Sequence, residues 1–235
     1  MEFKHGNITL IHGDCMEYMQ QMDWKADLAI VDPPYGIEED GSKNHTRGNK
    51  KAKARKYKPF AGNDKSIPDA QYFESLFSVS KNQIIWGGNY MVKHLESSMG
   101  WIFWDKDVSA DFSDGELAYT SFKKALKKFY YPWSGFRQGD MKNKEDRIHP
   151  TQKPVALYKW LLTNYAKKGD RILDTHGGSM SIAIACHDLG FELVCIEKDL
   201  YYFNAAVKRF KQHVKQSAIQ FPDQLEQPTQ TTLQL

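Results

Sequence analysis

The sequence predicts an α/β fold, a mostly parallel sheet with helices on both faces. Three observations predict it. Short apolar runs recur at residues 8–11, 28–31, 83–86, 171–174 and 191–197. Between several of them lie stretches with apolar residues at helical spacing, as in Val155, Tyr158, Leu161, Leu162 and Tyr165. Two of the runs end in an acid followed by a turn, Asp32-Pro33-Pro34-Tyr35 and Asp174-Thr175-His176-Gly177-Gly178.

In chain order, a strand is expected at 8–11, then His12-Gly13-Asp14-Cys15 and a helix to about residue 22. A buried strand follows at 28–31, because its residues are apolar throughout. Residues 36–63, rich in Gly, Lys and Asn, read as loop, and 68–80 as helix. Aromatic and apolar runs make strand candidates of 83–86, 101–104, 116–120 and 128–131, before a polar connection at 137–150. The rest alternates: helix 155–166, strand 171–174, helix 179–189, strand 191–197 and helix 200–213. After Gln216 the chain becomes rich in Gln, Thr and Pro, and 214–235 is expected to be a flexible tail.

Length and composition restrict the function classes. The 235 residues suit one sizeable domain, expected to occupy 1–213, without internal repeats. No apolar run approaches membrane-spanning length and the N-terminus lacks a signal-peptide pattern, so a cytoplasmic location is expected. Cys15, Cys186 and Cys195 lack CxxC spacing and read as reduced thiols. The eight histidines are scattered along the sequence, and no metal site is expected. The net charge of +3 hides an asymmetry. Lys43, Arg47, Lys50, Lys51, Lys53, Arg55, Lys56 and Lys58 crowd a segment without Asp or Glu, whereas the remainder has 24 basic against 29 acidic residues. A basic block on an acidic body suggests a polyanion partner such as nucleic acid; a solvated loop without ligand is the competing reading.

Asp32-Pro33-Pro34-Tyr35 carries the most chemistry. Ligands bind beyond the carboxyl ends of strands in open α/β sheets. Asp32 can accept a hydrogen bond from an amine, and the Pro33 carbonyl is a second acceptor. Each residue before a proline is stiffened toward extended geometry. Tyr35 offers a flat face for a planar group. A plain strand-ending turn is the alternative. The Gly177-Gly178 turn, followed by a helix, a strand and Glu197, resembles a nucleotide-binding arrangement: glycines admit close approach, and an acid ending the next strand can take ribose hydroxyls. The alternative there is a helix start with Ser179 as its cap. In His149-Pro150-Thr151-Gln152-Lys153-Pro154, Thr151 can cap the next helix, or polar groups, Lys153 especially, can face a ligand carboxylate.

Taken in this order, the three motifs resemble those of the beta class of S-adenosylmethionine-dependent amino-group DNA methyltransferases, which modify adenine N6 or cytosine N4. The resemblance spans residues 7–212. It implies a Rossmann-like methyltransferase sheet with a circularly permuted motif order, because the cofactor turn comes last. It implies S-adenosyl-L-methionine as cofactor and double-stranded DNA as partner. Asp32, Pro33, Pro34 and Tyr35 would be catalytic. Asp174, Gly177, Gly178 and Ser179 would form the cofactor turn, Glu197 would bind the ribose, Asp14 and Cys15 the adenine, and Thr151, Gln152 and Lys153 would lie near the methionine carboxylate. Residues 41–60 would be a DNA-facing loop and 106–147 a target-recognition insert. Asp rather than Ser before Pro-Pro-Tyr is more typical of adenine methylation. N4-cytosine methylation and a catalytically impaired DNA-binding relative are the alternatives. A homodimer and a cognate restriction endonuclease are the protein partners the resemblance leaves open. Two positions depart from the family pattern: His176 stands in place of an aromatic and Met180 in place of a glycine.

Overall fold

The computed structural model describes residues 1–39, 48–49, 52–53, 57–59, 64–108, 113–134 and 137–220. In chain order its elements are β1 (Glu2–His5), β2 (Ile8–His12), α1 (Cys15–Gln20), β3 (Ala26–Val31), β4 (Gly48–Asn49), β5 (Ala52–Lys53), α2 (Ala70–Val79) and β6 (Ser80–Trp86). Then come β7 (Trp101–Asp105), β8 (Gly115–Thr120), β9 (Lys127–Tyr130), β10 (Trp133–Ser134), β11 (Arg137–Gln138) and α3 (Val155–Tyr165). The last are β12 (Arg171–Asp174), α4 (Ser181–Leu189), β13 (Glu192–Glu197) and α5 (Leu200–Gln220). The main sheet has the order β1-β2-β13-β12-β3-β6-β8-β7-β9. Its five strands from β2 to β6 are parallel, while β1 and β8 run antiparallel to their neighbours.

Cover on both faces explains the unbroken apolar runs of the central strands. Along β3, Leu28 and Ile30 enter one core layer and Ala29 and Val31 the other. The first layer takes α3, α4 and α5 through residues such as Leu161, Ile182 and Phe210. The second takes α1 and α2 through Met19, Phe73 and Leu76.

Several local expectations are corrected. The N-terminus of α3 is not capped by Thr151, whose Oγ1 lies 3.0 Å from His149 Nδ1. Glu145 performs that task, its Oε1 accepting the Val155 N–H at 2.8 Å. Nor is Ser179 the cap of α4; that position belongs to Met180, in the left-handed conformation with φ +51°. Residues 214–220 continue α5 rather than starting a tail, because Val214 still packs against the core; 221–235 lie outside the described residues. Within the stretch 106–147, β8 and β9 join the main sheet with buried Ala118, Tyr119 and Phe129.

Met180 sets two effects against each other, since its strained backbone carries a side chain only 1% exposed. Left-handed geometry costs roughly 1–2 kcal/mol, and deleting a buried methionine side chain roughly 2–5 kcal/mol. Met180→Gly is therefore expected to lower the urea midpoint despite relieving the backbone. A raised midpoint would show that strain dominates.

Candidate active site

Four neighbouring parallel strands bring four acids to one edge of the sheet. Asp14 follows β2, Glu197 ends β13, Asp174 ends β12 and Asp32 follows β3. From β12 the chain passes through α4 to β13, and from β3 through α2 to β6. These helices pack on opposite faces, so the chain paths diverge between β12 and β3. That divergence opens the crevice in which doubly wound sheets bind ligands.

At Asp32 the structure assembles a charge cluster from distant parts of the chain. Tyr35 donates its hydroxyl proton to Asp32 Oδ1 at 2.7 Å. Lys153 Nζ lies 2.6 Å from Asp32 Oδ2, 2.9 Å from Glu116 Oε2 and 3.1 Å from the Tyr35 hydroxyl. Lys106 pairs with the other Glu116 oxygen. Two ammoniums thus face two carboxylates, and the Lys153 side chain is only 3% exposed. Burial raises the Asp32 pKa above its ordinary 3.8, against the pull of Lys153. Burial also disfavours the Glu116 anion, but Lys153 and Lys106 outweigh it and hold that carboxyl low. The Lys153 pKa is raised, because its two carboxylates overcome burial. Burial and the Asp32 charge push the Tyr35 hydroxyl well up, so it acts as a neutral donor.

Neighbouring residues fix the Tyr35 ring. A Cβ on Gly87 would meet that ring, and Gly87 has φ +67°, so glycine is required twice over. Tyr90, half-exposed, stacks on Tyr35 at 5.3 Å with a 17° angle between rings. The Tyr35 surface expected to meet a planar ligand is therefore partly covered by a second aromatic.

The expected cofactor turn lies one strand away. Asp174 is buried, which pushes its carboxyl up to about 8, although it accepts the His176 N–H at 2.9 Å. Glu197 accepts the Gly178 N–H at 2.6 Å and the Asp199 N–H at 2.7 Å. A Cβ on Gly177 would strike Cys195 Sγ at 2.7 Å, so the turn lies directly on β13. Tyr72 of α2 reaches Thr175 Oγ1 at 2.7 Å, which lies 2.9 Å from His176 Nδ1. Burial lowers His176 to about 4, so its ring is neutral. Ser179 is buried, and its carbonyl accepts from Arg209, which also pairs with Glu145 at 2.6 Å.

Other expected site residues have local partners. Asp14 caps α1 through Met16 N–H at 2.8 Å and pairs with Lys198 at 2.8 Å. Burial pushes the Cys15 thiol up to about 12. Gln152 braces the preceding connection, accepting Ile148 N–H at 2.9 Å and donating to the Asp146 carbonyl at 3.3 Å. Lys153, expected beside a cofactor carboxylate, has its ammonium on Asp32 and Glu116, the acids that balance its buried charge. Of the basic segment, Lys43, Arg47, Lys50, Lys51, Arg55 and Lys56 lie outside the described residues, and Lys53 is described only as part of β5. Lys58 is described: its carbonyl accepts the Tyr202 hydroxyl, and its ammonium lies 5.0 Å from the Tyr201 ring centre.

Histidines scattered in sequence also meet in the fold. His187 Nδ1 and His213 Nε2 lie 3.2 and 2.6 Å from Asp188 Oδ1. The three could ligate a metal, but Lys159 already holds the other Asp188 oxygen at 2.7 Å.

A doubly wound sheet with this edge belongs to the Rossmann-like methyltransferase class. Two solved structures share the fold. The M1.HpyAVI–SAM complex is 20% identical with a TM-score of 0.55, covering 86% of this chain and 99% of that one. The PvuII DNA methyltransferase (cytosine-N4-specific) is 11% identical with a TM-score of 0.59, covering 90% of this chain and 92% of that one. Residues 73–208 match the N6/N4 methyltransferase model described as DNA methylase, and the chain belongs to this S-adenosylmethionine-dependent family. It is 23% identical over 247 residues to the Type II methyltransferase M2.MboI of Moraxella bovis, covering 87% of this chain and 88% of that protein. It is also 27% identical over 109 residues to the Type II methyltransferase M2.DpnII of Streptococcus pneumoniae, covering 46% of this chain but only 36% of that protein. Among the described residues, no helix is long and apolar enough to cross a membrane.

Asp174 yields a signed test. Its folded pKa of about 8 exceeds the ordinary 3.8, so the folded state keeps a proton that the unfolded state loses. The stability it contributes is present below 3.8 and is lost as pH rises towards 8. Asp174→Asn cannot ionise, so its urea stability should decline less than wild type between about pH 5 and pH 8. Parallel declines would show that Asp174 ionises normally in the fold.

Proposed function

We propose that this protein transfers a methyl group from S-adenosyl-L-methionine to the exocyclic N6 of adenine in double-stranded DNA. The observation that carries the reading is the position of Asp32, a half-buried acid one strand from the Asp174 turn at the point where the chain paths diverge.

The residues at the edge suit this cofactor. A Cβ on Gly178 would have no neighbour closer than 3.7 Å, so there is space beside the turn. Each Glu197 oxygen already takes one backbone N–H and keeps a second lone pair, enough for the two hydroxyls of a ribose. Asp174, Gly177, Gly178, Ser179 and Glu197 would hold the methionine and ribose ends, with Asp14 and Cys15 at the adenine. When bound, the cofactor supplies an electrophilic methyl on a sulfonium.

The chain's own part is positioning. A target base must leave the duplex stack to be reached. Asp32 and the Pro33 carbonyl accept the two protons of its amine, which favours a pyramidal nitrogen and directs the lone pair. Orientation of this kind supplies much of the rate. Asp32 also stabilises charge as the amine becomes cationic, and accepts the proton afterwards. Lys153 now donates to the Asp32 oxygen that this amine would approach, so its ammonium must shift towards Glu116, already 2.9 Å away. The flipped base would stack on the Tyr35–Tyr90 pair. The basic segment would bind phosphates.

Asp in the first motif position supports adenine. The same grip suits cytosine N4, the atom named for the PvuII fold relative, so product identity is the decisive readout. A cognate restriction endonuclease is part of the proposal, as is a homodimer.

Incubating the protein with labelled cofactor and unmethylated DNA, then analysing nucleosides by mass spectrometry, should yield N6-methyladenine. N4-methylcytosine would change the base and keep the mechanism. Absence of product from folded protein would favour a binding-only relative. Asp32→Ala should abolish transfer and leave cofactor affinity within about twofold, because Asp32 acts on the amine. Near-normal turnover would refute the amine grip. Replacing Lys50, Lys51 and Lys53 with Ala should flatten the salt dependence of DNA binding by about 0.9 in slope per lost phosphate contact. An unchanged slope would mark the segment as a solvated loop.

A further inference from the structure

Asp64 belongs to none of the motifs read from the sequence, yet it is only 6% exposed and lies against the first of them. Its Oδ1 accepts the backbone N–H groups of Tyr35 at 2.6 Å and Gly36 at 2.9 Å. Its Oδ2 accepts those of Ile37 at 3.3 Å and Glu39 at 3.1 Å. Its carbonyl takes the remaining one, Glu38 N–H, at 2.9 Å. Five successive N–H groups therefore converge on one residue, forming an anion nest filled by a side chain of the protein itself. Glu38 and Asp64 themselves take left-handed backbone, φ +59° and +45°, a strain that persists only where surrounding contacts fix it.

We propose that Asp64 is the positioning residue of the amine grip; this rests on the methyl-transfer reading. The argument runs through Tyr35. Its backbone N–H makes the shortest contact to Asp64, and its hydroxyl donates to Asp32 Oδ1. Its ring lies directly against Gly87, where a Cβ would meet it. Releasing the 35–39 backbone would therefore move the ring that a base stacks on and remove a donor that orients the Asp32 carboxylate.

The test uses the full chain with Asp64→Ala, Asp64→Asn and, as a control in the α3–β12 turn, Asp170→Asn. Asparagine keeps one accepting oxygen and loses the other, so it can retain one pair of side-chain bonds but not both. The expected result is a kcat lower by about 10²-fold in Asp64→Ala, since small misplacements of reacting groups have effects of that size. Asp64→Asn should be intermediate, S-adenosylmethionine affinity by calorimetry should stay within about twofold in both, and the control should match wild type. Amide exchange should lose protection at residues 35–39 in Asp64→Ala. Retained protection there, an unchanged kcat, or a parallel loss of cofactor affinity in the folded variants would overturn the proposal. A wild type that makes no methylated nucleoside would sink the methyl-transfer reading, and the exchange measurement would still decide whether Asp64 holds the loop.

Discussion

A lysine ammonium kept from water beside β3 requires a negative partner, and Asp32, half-buried just after that strand, is its closest one. Two buried charges are costly to desolvate, so such a pair persists only where geometry is good and remaining hydrogen bonds are met. Here a second acid, Glu116, and a second ammonium, Lys106, extend the pair into a balanced cluster. The Tyr35 hydroxyl fills a further site on Asp32. The cluster ties together β3, β8 and the approach to α3. Its members act as one, because removing one charge unbalances the three that remain.

Strand order makes this meeting possible. Asp32 and Lys153 stand 121 residues apart. They meet because β12, which follows α3, inserts next to β3 in the sheet. The same insertion places the Asp174 turn beside Asp32 and opens the crevice between diverging chain paths. A permuted motif order therefore costs nothing in geometry: the edge depends on strand adjacency, whatever the sequence order of the motifs.

The turn after β12 shows how departures from a family pattern are absorbed. Met180 takes the left-handed conformation natural to glycine, and its side chain is buried within the core layer beneath α4. His176 keeps the planar shape of the aromatic it replaces, and burial keeps it neutral. Tyr72 and Thr175 give its ring polar neighbours, so the turn remains ordered with residues the pattern would not suggest.

By itself the sequence determined the layered α/β architecture, the parallel sheet and the two acid-ended strands. These follow from local periodicity, and each residue of β3 or β12 reports its own burial. It also determined the family, since three motifs in one order are specific. Helix boundaries were less legible. Glu145 caps α3 from outside the helix, and Val214 extends α5 through packing that no local propensity records. Only the tertiary structure decided the partners of Asp32. Glu116 reads as an ordinary acid in a strand and Lys106 as an ordinary surface lysine, until β8 sets Glu116 between Lys106 and Lys153. Asp64 left no signal either, because a side chain that accepts from a distant backbone depends on where the chain returns. Charge pairing and backbone capture act across space, and one-dimensional spacing carries only those interactions whose partners lie within a turn or a strand of each other.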